Sequence, residues 1–232
     1  FIDGDVALGS RRLAIQDTSL AGHMPMASPN GEAIISLNGE IYNFREIRKD
    51  LEKYSGRQFR SNTDTEVVLA AYLEYGLEFV DRLNGMFAIA IWDKRFRRLV
   101  LVRDRVGIKP LYYYLDNRML VFASEMKAIL ASAIPGLDLE IDREALNQYL
   151  IYGNYPSPFT PFTRLHKLLS GGMLILEAGK VRQKKYWSVG FSPDETIKSD
   201  DAVEHLEELI ESAVRYRLIS DVPVGAFLSG GI

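Results

Sequence analysis

The sequence predicts an α+β fold with more than one layer. Two stretches, 43–56 and 63–76, carry apolar residues at helical spacing behind capping residues. From Gly85 onward the pattern changes to strands, among them the unbroken apolar run Met86–Trp92. A continuous run of this kind is typical of a strand that is covered on both faces. Strands of this kind are expected in a layered fold.

The composition excludes several classes of protein. Hydrophobic residues make up 47% and charged residues 25% of the 232 residues, as in folded globular proteins. The net charge is −3, and Lys and Arg are scattered, so we expect no nucleic-acid partner. No apolar run is long enough to cross a bilayer and no signal peptide is visible, so we expect no membrane partner and a cytoplasmic location.

The sequence contains no cysteine. This excludes disulfides, thiolate metal sites and a cysteine nucleophile within these residues, and we expect no metal site among them. Phe1 is not a start methionine, and the chain stops at Gly230-Gly231-Ile232 without a signal that closes an element. We therefore expect a fragment of a longer protein.

The first candidate residue is Arg12, which follows a short predicted strand at Val6–Leu8. An arginine beside apolar residues is usually a surface charge. The alternative is a guanidinium that holds a substrate carboxylate through two hydrogen bonds. The next stretch, Ser19–Asn30, is rich in Gly, Pro and Ser and predicts a loop.

The stretch Ile34–Phe44 has Asn38-Gly39-Glu40 at its centre. Asn-Gly between two apolar runs is a strong signal for a two-residue hairpin turn, because both residues tolerate positive φ. Alternatively, the Asn carboxamide and the Gly backbone N–H are two donors that can stabilise an oxyanion. The residues alone leave both interpretations open.

Two helices follow. Asn43 and Glu46 form a predicted capping box, and the helix ends at Gly56. Thr63 begins the second helix in the same way, and Gly76 ends it. Asp64 lies in the first turn of that helix, where a carboxylate stabilises the helix dipole and can also serve as a ligand.

The remaining elements up to the end of the first domain are mostly strands. Hairpins and strands are predicted at Leu99–Val102, Leu111–Leu115, Met119–Ala123, Met173–Leu176 and Val181–Val189. Between them we predict a helix from Ser124 that Pro135 ends and a helix from Asp142 through Leu150.

Residues 190–199 have the composition of a linker, so we predict one domain at 1–189 and the start of a second at 200–232. A helix from Ser199 or Asp200 carries an apolar face, expected to pack on a following sheet. Val222–Leu228 predicts a buried strand that runs into Ser229-Gly230-Gly231. A strand that ends in Ser-Gly-Gly is either the start of a phosphate-binding loop or a plain glycine turn.

The order of these motifs resembles the glutamine-hydrolysing asparagine synthetases over essentially the whole chain. The segments that carry the resemblance are Arg12–Ile15, Leu37–Asn43, Asp64–Val67, Leu83–Ala88, Arg103–Tyr113, Phe122–Lys127 and Ser220–Gly225. The last segment separates this family from other class II glutamine amidotransferases.

The resemblance implies two domains. The first is a four-layer αββα Ntn-hydrolase sandwich, lacking its N-terminus here, that hydrolyses glutamine to glutamate and ammonia. The second is an α/β PP-loop ATP pyrophosphatase domain that uses ATP and Mg²⁺ to amidate aspartate, giving asparagine, AMP and pyrophosphate. The expected small-molecule partners are glutamine, aspartate and ATP, and the resemblance is compatible with a homodimer.

The resemblance also assigns residues. Arg12 would hold the glutamine α-carboxylate, with help from the backbone of Leu13, Ala14, Ile15 and Gln16, and Asp64 would pair with the α-ammonium. Asn38 and Gly39 would form the oxyanion hole, and Glu40 would line the site. Leu228, Ser229, Gly230 and Gly231 would begin the ATP site.

One feature departs from the family, whose nucleophile is an N-terminal cysteine that uses its own amine as base. No cysteine is present, and on this resemblance the segment before Phe1 and nearly all of the synthetase domain are missing as well, so we expect the fragment to bind glutamine weakly at best and to catalyse neither half reaction. Two alternatives remain: a β-lactam-synthetase-like or other ATP-dependent amide ligase with a non-catalytic first domain, and a non-enzymatic amino-acid-binding module.

Overall fold

The computed structural model describes residues 1–13, 15–193, 196–228 and 230. The strands are β1 (Ile2–Asp3), β2 (Val6–Ala7), β3 (Met26–Ala27), β4 (Ala33–Ile41), β5 (Gly85–Asp93), β6 (Arg98–Arg103), β7 (Tyr112–Leu115), β8 (Leu120–Ala123), β9 (Leu165–Lys167), β10 (Gly172–Glu177) and β11 (Lys180–Lys185). The α-helices are α1 (Phe44–Ser55), α2 (Asp64–Tyr75), α3 (Met126–Leu130), α4 (Arg143–Tyr152) and α5 (Ser199–Arg217). The prediction of a mixed fold with several sheets is confirmed.

The strands form a large and a small antiparallel sheet besides the β1–β2 pair. The six-stranded sheet has the order β11-β10-β6-β5-β4-β3, and the three-stranded sheet has the order β8-β7-β9. Along β4, alternate side chains face opposite sides of the sheet. Ile35 and Ile41 pack with the helices, whereas Ile34 packs toward the smaller sheet.

The apolar clusters define the layers. One cluster joins α1 and α2 to the six-stranded sheet and contains the fully buried Leu51 and Tyr72. A second lies between the two sheets and includes Trp92 and Tyr113. A third packs the far face of the smaller sheet against Ile129 of α3. The order is therefore helices, sheet, sheet, helix, and the candidate site residues lie on β4, at the start of α2 and in the loop that follows β2.

The Asn38-Gly39 pair lies inside β4 and not in a hairpin turn. Its residues pair with β5, Asn38 opposite Ala88 and Gly39 opposite Phe87. The turn interpretation is wrong because long-range pairing with β5 outweighs the local turn preference of Asn-Gly.

The two helix predictions differ in outcome. In α2, the hydroxyl of Thr63 accepts hydrogen bonds from the backbone N–H groups of Thr65 at 2.8 Å and Glu66 at 3.4 Å, as predicted. In α1, Asn43 makes no side-chain cap. Its carboxamide instead binds the backbone of Arg82 and Asn84, which connects the start of α1 to the segment before β5.

Several bounds also differ from the sequence prediction. The predicted loop at Ser19–Asn30 contains a 3-10 turn at Leu20–Gly22 and the strand β3. The helix predicted from Ser124 shortens to α3, and the last strand ends at Lys185 and not at Val189.

The largest difference concerns the C-terminal segment. The predicted buried strand Val222–Leu228 has no strand structure, and Phe227 and Leu228 are fully exposed. A strand forms only when it pairs with a neighbour, and no described strand lies beside it. The apolar side chains of α5 are likewise about half exposed, so the expected packing on a sheet is absent from the described residues.

Among the described residues, every helix is too short or too polar to span a membrane.

Candidate functional site

A cavity of about 310 Å³ opens beside the end of β4. Its walls contain all the predicted glutamine-site residues that the structure describes. These are Arg12, Leu13, Ile15, Gln16, Asn38, Gly39, Glu40 and Asp64. Ala14, which was predicted with them, lies outside the described residues. Residues that are far apart in sequence therefore line one cavity.

Gly39 allows β4 and β5 to approach each other closely. Its φ is +146°, in a region that side chains other than glycine rarely adopt. A Cβ at this position would overlap the carbonyl oxygen of Met86, and a Cβ at Gly85 would overlap the carbonyl oxygen of Glu40. Only glycine fits at either position, so the backbone at Gly39 borders the cavity without a side chain.

Asn38 extends from β4 on the side of the smaller sheet. Its carboxamide Nδ2 donates to the hydroxyl of Ser124 at 3.1 Å, just beyond the end of β8. The Asn38 side chain is exposed to solvent. The contact with Ser124 holds the carboxamide at the cavity and leaves it accessible.

Arg12 is half-buried and is held by its own loop. Its Nη2 donates to the carbonyl oxygen of Gln16. The guanidinium also lies against Gly22, where a Cβ would overlap it. Gln16 and Gly22 therefore border the guanidinium, and Arg12 is one of the residues that line the cavity.

Asp64 is buried at the first turn of α2. Its Oδ2 accepts a hydrogen bond from the backbone N–H of Ile41 at 2.9 Å, and its Oδ1 accepts one from the hydroxyl of Thr65 at 3.3 Å. Burial raises the pKa of Asp64 to about 6, against the opposing effect of these hydrogen bonds. Because Thr63 caps the helix, the Asp64 carboxylate is available for the hydrogen bond with Ile41, which connects α2 to β4. Asp64 also contributes an acidic residue to the cavity wall.

Glu40 and Lys109 add a second acidic side chain and a second positively charged side chain to the cavity. Burial raises the pKa of the half-buried Glu40, and the positive charge of Lys109 opposes this shift. The cavity thus combines Arg12 and Lys109 with Glu40 and Asp64.

The loop that carries Lys109 is fixed from within. The buried carboxylate of Asp104 accepts hydrogen bonds from the backbone N–H groups of Gly107 at 2.7 Å, Ile108 at 2.9 Å and Lys109 at 2.9 Å. The guanidinium of Arg103 donates to the carbonyl oxygen of Lys109 at 2.8 Å. Lys109 and Ser124 belong to segments that carry the family resemblance, but the sequence does not mark either as a site residue, because each lines the cavity from a loop without a periodic pattern.

Gln16 is buried between two cavities. Its side-chain Nε2 and Oε1 have no hydrogen-bond partner among the described residues. It lines the first cavity and a second one of about 360 Å³, whose walls also include Ile219 and Asp221.

The predicted ATP site lies partly outside the described residues. Leu228 and Gly230 are exposed, and Ser229 and Gly231 lie outside the described residues. No group of three or more acids and histidines that could hold a metal ion occurs among the described residues.

The charges of the first cavity match one kind of ligand. A free amino acid carries a carboxylate and an ammonium at fixed separation, and a guanidinium and a carboxylate that line the same cavity can bind both ends. The described residues thus favour a zwitterion over a purely anionic or apolar ligand.

Two family models match successive parts of the chain. The model described as a glutamine amidotransferase domain matches residues 1–187, and the model described as asparagine synthase matches residues 205–232.

Named relatives cover the whole chain. Glutamine-hydrolyzing asparagine synthetase 1 of Bacillus subtilis (strain 168) is 40% identical over 233 residues, covering 100% of this chain and 36% of the relative. The putative glutamine-hydrolyzing asparagine synthetase 2 of Methanocaldococcus jannaschii is 37% identical over 250 residues, covering 100% of this chain and 47% of the relative. The chain therefore spans about a third to a half of the length of these relatives.

A solved structure supports the fold. Glutamine phosphoribosylpyrophosphate amidotransferase from B. subtilis has a TM-score of 0.52 at 20% identity, over 73% of this chain and 33% of that chain. At this identity the similarity concerns the fold alone.

Proposed function

The chain belongs to the glutamine amidotransferase domain family, and on that premise we propose that its first cavity binds L-glutamine. We further propose that the protein of which it is part hydrolyses glutamine to glutamate and ammonia and uses ATP to amidate aspartate. The products would be asparagine, AMP and pyrophosphate. One observation carries the proposal: Arg12, Asn38, Gly39 and Asp64 line a single cavity.

The charged ends of glutamine would be bound by two residues on different elements. The guanidinium of Arg12 takes the α-carboxylate, assisted by the backbone from Leu13 to Gln16. The carboxylate of Asp64 takes the α-ammonium, with Glu40 nearby. Burial makes the ionised form of Asp64 costly in the empty cavity, and an ammonium in contact with it offsets this cost.

The side-chain amide of glutamine would lie near Asn38 and Gly39. Attack on its carbonyl carbon places negative charge on the oxygen, and the Asn38 carboxamide and the Gly39 N–H are the donors that stabilise it. Removal of one such donor typically raises the barrier by about 2.7–4 kcal/mol. The 232 residues contain no cysteine, and no nucleophile is assigned among them.

Finer features of the fold and of the whole protein belong to the same proposal. Residues 1–189 would form the four-layer Ntn-hydrolase sandwich, 190–199 the linker and 200–232 the start of a PP-loop ATP pyrophosphatase domain. Leu228 to Gly231 would contribute to ATP and Mg²⁺ binding only once the rest of that domain surrounds them. We propose a cytoplasmic enzyme, which is compatible with a homodimer.

The proposal is tested by titrating L-glutamine into the ¹⁵N-labelled chain and recording amide chemical shifts. We expect weak, saturable shifts at the residues of the first cavity with L-glutamine and none with D-glutamine. The Arg12→Ala variant should lose them, whereas Arg143→Ala, an exposed arginine on α4, should retain them. Equal shifts in wild type and Arg12→Ala, or no shifts in the wild type, would contradict the proposal.

A further inference from the structure

Asp221 makes two hydrogen bonds with the loop that carries Arg12. Its backbone N–H donates to the carbonyl oxygen of Ile15 at 3.1 Å. Its side-chain Oδ2 accepts from the backbone N–H of Asp17 at 2.7 Å. The two contacts enclose Gln16, whose carbonyl oxygen accepts from Arg12 Nη2.

Asp221 lies in the part of the chain that matches the asparagine synthase model, whereas residues 12–17 lie in the part that matches the amidotransferase model. The two hydrogen bonds therefore connect the two parts directly at the candidate glutamine site. The bond between Asp17 and Asp221 spans 204 residues of sequence.

The same loop is also connected to the segment before Asp64. The carboxylate of Asp17 accepts a hydrogen bond of 2.8 Å from the backbone N–H of Asn62, and one of 2.5 Å from the hydroxyl of Ser19. Asp17 thus joins the Arg12 loop to the start of α2, and Asp221 holds Asp17 from the other side. A displacement of Asp221 would act on the arginine and on the acid that the proposed function assigns to glutamine.

The packing behind this loop leaves room for such a displacement. The second cavity, of about 360 Å³, lies between Gln16 and the segment that contains Ile219 and Asp221. With a cavity behind Gln16, close packing does not fix the loop. The hydrogen bonds of Asp221 therefore carry more of the positioning.

We propose that Asp221 is a positioning residue for the glutamine site, an inference that rests on the proposed function. Its carboxylate and its N–H hold the backbone of residues 15–17 in the conformation that presents the Arg12 guanidinium to the substrate. The synthase part of the chain thereby sets the affinity for glutamine. Linkage makes the effect reciprocal, so glutamine binding stabilises the contact of Asp221 with the loop.

Other contacts between the two parts provide a matched control. The hydroxyl of Tyr216 donates to Glu46 Oε1 at 3.2 Å, and the Arg217 guanidinium lies 5.0 Å from the ring centroid of Tyr42. These contacts attach the end of α5 to the first part without touching residues 15–17. Tyr216→Phe therefore weakens the attachment and leaves the loop in place.

The experiment measures the dissociation constant of L-glutamine by ¹⁵N amide shifts in the full 232-residue chain. Asp221→Ala removes the hydrogen bond between the Asp17 N–H and the charged Asp221 carboxylate, which lies at a partly exposed site. We therefore expect L-glutamine to bind about fivefold more weakly to this variant. Asp221→Asn keeps an acceptor oxygen and should bind within about twofold of wild type, as should Tyr216→Phe.

A second measurement needs no variant and does not depend on the folding of one. In wild type, saturating L-glutamine should slow hydrogen exchange at the amides of Asp17 and Asp221, because both donate to the contact that glutamine stabilises. Exchange at the amide of Val203 on α5 should not change.

The outcomes separate this inference from the proposed function. If wild type binds L-glutamine and Arg12→Ala does not, but Asp221→Ala binds as wild type does, the positioning role is wrong and the proposed function stands. Unchanged exchange at both amides with bound glutamine would also overturn it. If wild type does not bind L-glutamine, both proposals fail.

Discussion

The carboxylate of Asp64 accepts a hydrogen bond of 2.9 Å from the backbone N–H of Ile41. Asp64 begins α2, and Ile41 ends β4 two residues beyond Gly39. One buried acid thus sets the position of the helix relative to the strand that carries the proposed oxyanion donors. Because the same acid is proposed to bind the α-ammonium, its protonation state affects both substrate binding and stability.

Glutamine affinity should fall with pH below about 6. The pKa of Asp64 is raised to about 6 by burial, and only the ionised form binds an ammonium favourably. The apparent dissociation constant should therefore rise about tenfold between pH 7 and pH 5. Amide-shift titrations with L-glutamine at a series of pH values test this. A constant affinity across that range would show that Asp64 does not bind the ammonium.

Asp64→Asn should keep or increase stability at pH 7 while it abolishes glutamine binding. The folded pKa of Asp64 lies above its ordinary value of 3.8, so the folded state binds the proton more tightly. Wild-type stability therefore gains from this group as pH falls from 7 through 6 toward 4. At pH 7 the variant lacks the buried charge, and we expect it to be more stable by about 1–3 kcal/mol.

Urea unfolding at pH 7 and pH 4.5 measures this difference. The advantage of Asp64→Asn should shrink at the lower pH, where the wild-type carboxyl is mostly protonated. A variant that is less stable at pH 7 would mean that the ionised carboxylate stabilises the contact with Ile41 by more than its burial costs.

Gly39→Ala should unfold the junction of β4 and β5. The new Cβ would overlap the carbonyl oxygen of Met86, and the φ of +146° is strained for alanine. The overlap involves backbone, which cannot move without separating the strands. We expect a loss of about 3 kcal/mol or more of the free energy of unfolding, measured in urea.

Gly190→Ala is the matched control, because a Cβ at Gly190 meets no atom within 4 Å. Its free energy of unfolding should stay within about 0.5 kcal/mol of wild type. Equal stability of the two glycine variants would mean that β4 and β5 can separate at Gly39 at little cost.

Gly22→Ala should lower glutamine affinity without lowering stability much. Its Cβ would overlap the guanidinium of Arg12, which is the far end of a flexible side chain. The backbone can therefore stay in place while the guanidinium moves out of position. We expect glutamine binding at least about fivefold weaker, since a bidentate contact depends on exact orientation. Unchanged binding would indicate that Arg12 contacts the substrate from another rotamer.

The sequence was most informative where local signals agree with the fold. Thr63 and Gly76 delimit α2 because capping depends on neighbouring residues only. The continuous apolar run of β5 marks a strand with layers on both faces. The resemblance to asparagine synthetases, drawn from motif order, is confirmed by the family matches and the named relatives.

The sequence was least informative where long-range pairing decides the structure. The local sequence at Asn38-Gly39 predicts a turn, because its pairing with β5 depends on residues far away in the chain. In that pairing Gly85 lies opposite Ile41. The strand β9 has three residues, too few for a pattern, and exists because it pairs with β7. Lys109 enters the site through a loop whose shape depends on one buried acid.

That acid, Asp104, gives the last prediction. Besides the three loop N–H groups, its carboxylate accepts a fourth hydrogen bond, from the backbone N–H of Phe87 at 3.2 Å. Asp104→Ala would remove the side-chain acceptor that these four N–H groups share, so we expect a loss of about 3–5 kcal/mol in urea unfolding. Asp104→Asn keeps one acceptor oxygen and should lose less. Asp81→Ala, an exposed acid before β5, serves as control and should unfold like wild type. If Asp104→Ala were as stable as this control, the loop would be held mainly by Arg103, and Arg103→Met should then show the larger loss.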